Sequence, residues 1–157
     1  METFYQQMLR YIKQHHLLKN TIIQLTKYIP IITFIIYPSL IIYLLITNNP
    51  LLIVTIIKPL ISFLLVTIFR KLINRKRPYE TLKIEPLVQH KSGESFPSRH
   101  TVSAFAISLA CLNVSLPLGI IMLVLAILVS SCRILCGVHY ISDVIGAIIV
   151  ALVINCF

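Results

Sequence analysis

Three short clusters of polar residues carry the chemistry open to this chain. The first is Arg70-(six residues)-Arg77-Pro78. Guanidinium forks stay charged and grip phosphate through paired N–H donors, so arginines at this spacing suit a phosphate group. With Lys71, Arg75 and Lys76 they also read as a plain juxtamembrane basic cluster. The second cluster is Ser95-Phe96-Pro97-Ser98-Arg99-His100-Thr101. Ser98 is placed to cap a helix whose free backbone N–H groups face an anion, with His100 one turn inside. A capped helix with an incidental interfacial histidine fits that stretch as well. The third is Ser131-Cys132-Arg133-(five residues)-His139-Tyr140-Ile141-Ser142-Asp143. His139 and Asp143 are four apart, on one helix face, so the carboxylate can hold one imidazole nitrogen and leave the other as nucleophile or base. A structural Arg133–Asp143 ion pair, with His139 a bystander, is the competing reading.

The elements that must position these clusters follow from composition. The 157 residues are 57% hydrophobic and 12% charged, about half the charged share of a soluble domain. A water-soluble core of this length could not cover so much apolar surface, and disorder is excluded for the same reason. The expected class is all-α: a polytopic membrane helical bundle forming a single domain, 1–157. Residues 4–19 read as an amphipathic helix lying at the membrane surface, within an interfacial segment 1–20. Five transmembrane spans are expected at residues 22–46, 51–69, 101–116, 118–136 and 140–157, against a hydrocarbon core of ~30 Å. Pro30 and Pro38 would kink the first span, Lys58 would snorkel to the interface, and Gly137 would cap the end of the fourth span.

Charge is unevenly spread. Residues 70–99 carry eight basic residues and three glutamates, whereas residues 101–157 carry only Arg133 and Asp143. Such isolated charges in an apolar stretch mark function by default. Residues 70–100 are expected to form a catalytic loop. Two spans separate it from the Arg133–Asp143 segment, so both emerge on one membrane face. The net charge of +9 points to anionic lipid, not nucleic acid, as partner, because no aromatic-interleaved basic surface accompanies it. Cys111, Cys132, Cys136 and Cys156 lack metal-ligand spacing and read as packing groups, and no cleavable signal peptide is expected.

Taken together, the clusters resemble the three-part signature of the type 2 phosphatidic acid phosphatase family, related to the vanadium haloperoxidases: K-x6-R-P, P-S-G-H and S-R-x5-H-x3-D. The resemblance implies that Arg70, Arg77, Ser98 and Arg133 bind substrate phosphate, that His139 is the nucleophile and becomes a phosphohistidine, that Asp143 orients it, and that His100 is the general acid; Arg99, which adds a charged fork at a helix start, is expected to help hold a second phosphate group. It also implies no metal, no cofactor and a site on the extracytoplasmic face of the cell membrane. Three positions depart from the signature: Arg70 replaces its lysine (Lys71 lies one residue on), Arg99 its glycine and Cys132 its serine. The expected activity is hydrolysis of a lipid phosphate or diphosphate: undecaprenyl diphosphate, phosphatidylglycerophosphate or phosphatidic acid. The shortness of the chain resembles small bacterial undecaprenyl-diphosphate phosphatases. The alternatives are a non-catalytic lipid-phosphate binding or carrier protein, which needs only the arginines, and a vanadate-dependent oxidase on the same scaffold.

Overall fold

A computed structural model describes residues 2–157. Seven helices follow one another: α1 (Glu2–Gln14), α2 (His16–Ile46), α3 (Leu52–Ile73), α4 (Pro78–Thr81), α5 (Arg99–Val114), α6 (Leu116–Leu135) and α7 (Ile141–Cys156). No strand forms among the described residues, so the fold is all-α. The stretches His16–Ile46, Leu52–Thr81 and Leu116–Leu135 are long and apolar enough to cross a membrane. The other two expected spans are helices of 16 residues each, α5 and α7. At 1.5 Å per residue each rises roughly 24 Å.

α5 is the central helix and packs against α2, α3, α6 and α7. It can do so because its buried positions are small: Ala104, Ala106, Ser108 and Ala110 let four neighbours approach. Phe105 and Val102 fill the space that remains, against Val66 of α3, Ala126 of α6 and Ala147 and Ala151 of α7. A second apolar cluster, Leu40, Leu44, Cys111 and Met122, ties α2 to α5 and α6. The outward faces stay apolar, with Phe34, Ile46 and Leu72 each about three-quarters exposed. α2 runs unbroken through Pro30 and Pro38. Lys58 does not snorkel: its Nζ donates to the Asn155 carbonyl at 2.7 Å, supplying a donor and a positive charge to the last turn of α7.

The N-terminal helix differs from expectation in length. α1 stops at Gln14, His15 is extended (φ −104°, ψ 92°), and α2 already begins at His16. The expected helix over 4–19 is thus two helices. Tyr5, Leu9 and Ile12 on the apolar side of α1 are buried against protein, while Phe4 stays half exposed. Tyr5 Oη donates to the carbonyl of His139 at 3.2 Å, and its ring stands edge-on to Tyr140. Leu9 lies over Gly137, where an added Cβ would come within 3.0 Å of Leu9 Cδ1. α1 therefore covers the turn between α6 and α7.

Candidate active site

The ends of α3 and α6 and the starts of α5 and α7 converge at one end of the bundle, beneath α1. α6 finishes at Leu135, and Gly137 takes the left-handed conformation there (φ +72°), as its residue type predicts. The Gly137 and Val138 N–H groups bond back to the Ile134 and Arg133 carbonyls. This hooked end delivers His139 to the start of α7. His139 is not itself on the helix, which corrects the expected placement. Tyr140 is the N-cap, and Asp143 Oδ2 accepts the Tyr140 N–H at 2.9 Å. The four-residue spacing works across a helix start, because a carboxylate at the third helical position satisfies a backbone donor there.

His139 is 1% exposed. Its Nδ1 lies 3.3 Å from Asp143 Oδ2 and 3.5 Å from Ser95 Oγ, and its Nε2 lies 3.4 Å from Arg77 Nη1. A carboxylate accepts and a guanidinium donates, so both neighbours select one tautomer, with the proton on Nδ1 and the lone pair on Nε2. Burial lowers the His139 pKa below the usual 6.5; the hydrogen bond to Asp143 pulls it back up and Arg77 pushes it down again. The ring is therefore neutral at pH 7.

Asp143 is fully buried, and its ion pair is with Arg75 Nη1, 2.8 Å from Oδ1. The Arg133–Asp143 pair weighed from the sequence is replaced by this one. Arg75 Nη1 also donates to Ser142 Oγ, and its guanidinium lies 4.1 Å above the Tyr140 ring. Ser95 Oγ donates to Asp143 Oδ2, and the Ser95 N–H donates to the Arg75 carbonyl at 2.8 Å. Next to Ser95, the Phe96 ring sits on Gly146, where a Cβ would come within 2.7 Å of it. Close approach of loop and helix thus holds the serine against the carboxylate.

The arginines surround this pair. Arg77 is buried; its Nε donates to the Gly93 carbonyl at 3.0 Å and its Nη1 to the Val138 carbonyl at 3.1 Å. Arg70 is buried at the end of α3, with Nη1 donating to the Pro97 carbonyl at 3.1 Å and Nε 3.7 Å from Glu94 Oε2. Lys71 is exposed, so of these two neighbouring cations Arg70 is the one buried beside the site. Arg133 is buried in the last turn of α6, and its Nε has no hydrogen-bond partner among the described residues. Ser98 caps α5, accepting the Thr101 N–H at 3.4 Å, and its own N–H donates to the Asp143 carbonyl. His100 follows one residue inside α5. Arg99 turns partly outward, with Nη2 3.3 Å from Glu94 Oε2 and its guanidinium 6.0 Å from the centre of the Phe63 ring. The arrangement gathers buried guanidinium groups around the His139 ring, whose Nε2 carries the free lone pair.

Three polar participants were not singled out from the sequence. Arg75 is hidden in a run of basic residues, and Ser95 and His90 lie in a loop without periodicity. Their roles depend on contacts with residues 44 to 68 positions away, which no local pattern encodes.

The chain belongs to the PAP2 superfamily, whose pattern matches residues 40–157. The family resemblance carried by the three clusters is thereby shown. Over 79 residues, half of the chain, it is 37% identical to undecaprenyl-diphosphatase BcrC of Bacillus subtilis (strain 168), of which that match covers 41%. Over 100 residues, 62% of the chain, it is 34% identical to bacitracin transport permease protein BcrC of Bacillus licheniformis, covering 49% of it. The chain thus matches less than half the length of either relative. Its fold is similar to that of LpxE from Aquifex aeolicus (TM-score 0.78, 22% identity, 98% of this chain and 91% of that one). It is also similar to the first transmembrane PAP2 type phosphatidylglycerolphosphate phosphatase from Bacillus subtilis (TM-score 0.74, 22% identity, 99% and 80%).

The Arg75–Asp143 contact generates a directional prediction. Arg75 draws on the charge that Asp143 offers to His139 Nδ1–H, so removing it should leave imidazolium better stabilised and raise the His139 pKa. An NMR titration of the detergent-solubilised chain, labelled in its histidines, should find the His139 midpoint below 6.5 in the wild type. The midpoint should be higher in Arg75→Met and close to wild type in Arg75→Lys. An unchanged midpoint in Arg75→Met would contradict the coupling.

Proposed function

We propose that this protein is a metal-independent membrane phosphatase that hydrolyses a lipid phosphate or diphosphate through a phosphohistidine at His139. The observation that carries the reading is the His139 ring, held by Asp143 on Nδ1 and facing Arg77 with an unprotonated Nε2. Undecaprenyl diphosphate leads the substrate candidates, with phosphatidylglycerophosphate and phosphatidic acid beside it, because a relative that shares half of this chain is named for that activity.

In the proposed reaction, Nε2 attacks phosphorus in line and forms the N–P bond as the P–O bond to the leaving group breaks. As the phosphate anion settles among the arginines, His100 takes up a proton, and it gives that proton to the departing oxygen. Asp143 holds the imidazolium that develops, and Arg70, Arg77 and Arg133 balance charge on the equatorial oxygens. Water then attacks the phosphohistidine, losing a proton to His100, and inorganic phosphate leaves. Ser98 offers the start of α5 to a phosphate oxygen, and Arg99 reaches substrate by exchanging Glu94 for it. A phosphate in this cradle needs no divalent cation to neutralise it.

Five helices cross the bilayer in this reading, α2, α3, α5, α6 and α7. The two 16-residue members are short because their polar ends open into the site instead of reaching through the interface. The site faces the outside of the cell membrane. A cysteine replacing the exposed Lys91, in an otherwise cysteine-free chain, should react with membrane-impermeant maleimide in intact cells; labelling only after lysis would put the site in the cytoplasm.

Phosphate release from detergent-solubilised protein, assayed against a small panel of lipid phosphates in EDTA, tests the activity. Turnover should persist in EDTA, be blocked by vanadate and fall by roughly 10³-fold or more in His139→Ala. Loss in EDTA that Mg²⁺ restores, or full activity of His139→Ala, would contradict the mechanism.

A further inference from the structure

A third imidazole stands beside the two proposed catalytic histidines. The His90 ring centre is 6.5 Å from that of His139 and 6.3 Å from that of His100, and it is steeply inclined to both, at 76° and 82°. His90 belongs to none of the three motif clusters, yet its placement is built. Leu87 N–H donates to the Cys136 carbonyl at 3.0 Å, just before the turn that carries His139. Leu87 and Val88 pack with Cys136, Val138, Ile12 and Ile22. Tyr79 Oη donates to the His90 and Lys91 carbonyls at 3.1 and 2.8 Å, and Gly93 is tied to Glu80 and Arg77. Anchors therefore lie on both sides of the histidine.

Its chemistry is equally constrained. His90 Nδ1 accepts the Lys91 N–H at 3.1 Å, which leaves the proton on Nε2. The charged groups around it are Arg70, Arg77 and Arg133. Although the residue is exposed at the rim, desolvation by the surrounding protein first, and then these cations, lower its pKa to about 4, so the ring is neutral at pH 7. A neutral N–H donor among guanidinium groups has an anion as its natural partner.

We propose that His90 is a further catalytic residue, whose Nε2–H donates to an equatorial oxygen of the phosphoryl group in transfer. The proposal rests on the phosphatase reading above. In-line displacement puts the nucleophile and the leaving group on opposite sides of phosphorus, so His139 and His100 flank it. A ring nearly equidistant from both stands to the side, where the equatorial oxygens point. Charge on those oxygens builds as the group passes between nucleophile and leaving oxygen, so the hydrogen bond strengthens in the transition state and acts on kcat more than on KM.

Two readouts on intact, detergent-solubilised protein test this. The first is kcat and KM on a polyprenyl diphosphate for wild type, His90→Ala and His90→Gln, whose amide can place N–H near the position of Nε2. The second is vanadate and inorganic phosphate binding by calorimetry, which needs no turnover; thermal melting verifies that each variant folds. Loss of one such donor costs about 10²–10³-fold. His90→Ala should lose about that in kcat with KM changed less than threefold, and should bind vanadate, which mimics the five-coordinate state, at least tenfold more weakly. Phosphate binding should change little, and His90→Gln should recover part of both losses. Wild-type kcat and wild-type vanadate affinity in folded His90→Ala would overturn the proposal, as would a kcat loss with vanadate affinity unchanged. If the wild type turned over no lipid in the panel, the phosphatase reading would fail instead, and vanadate binding would still decide whether His90 contacts the anion.

Discussion

Positive charge buried without enough negative charge to match it is the constraint on which the rest of this structure depends. Arg70, Arg77 and Arg133 are all sequestered at one end of the bundle, and Asp143 is the one buried carboxylate among the described residues. That carboxylate is already engaged by Arg75, Ser95, the Tyr140 N–H and His139. Taking a charge out of water costs several kcal/mol unless a counter-charge or hydrogen bonds compensate. Backbone carbonyls of Gly93, Pro97 and Val138 compensate part of that cost, and an anion would compensate the remainder. Glu94, about two-fifths exposed, reaches toward both Arg70 and Arg99, which shows how ready those cations are to take an oxyanion.

Holding those charges together explains much of the architecture. α5 must be lined with small residues so that α3, α6 and α7 can bring their ends within reach of its start. α6 must end on a glycine, since the turn behind it is covered at close range by Leu9. α1 closes the site from above through Tyr5 and the His139 carbonyl. The family pattern matches residues 40–157, while the fold shared with LpxE extends over 98% of the chain.

Legibility in the sequence followed the range of the interaction. The three clusters marked Arg70, Arg77, Ser98, His100, Arg133, His139 and Asp143, and the structure brings their helix ends together at one end of the bundle. Hydropathy located five of the helices, since long apolar stretches leave little else to form. What escaped were pairings between distant segments. Arg75 looks no different from Lys76 until α7 supplies Asp143, and Lys58 reads as a snorkelling lysine until Asn155 arrives from the other end of the chain. The amphipathic face of α1 was visible, but periodicity could not say whether lipid or protein would cover it. The relation of His139 to Asp143 was right in partners and wrong in setting, because a spacing of four fits a helix start as well as a helix face.

In the proposed reaction His139 Nε2 forms a bond to phosphorus. Rapid mixing with a polyprenyl diphosphate carrying ³²P at its terminal phosphate, followed by an alkaline quench and peptide mass spectrometry, tests it directly. A transient, acid-labile, base-stable label is expected on the peptide that contains His139, and none in Arg75-containing or His100-containing peptides. Turnover without any labelled protein, or label on a hydroxyl such as Ser95, would contradict it.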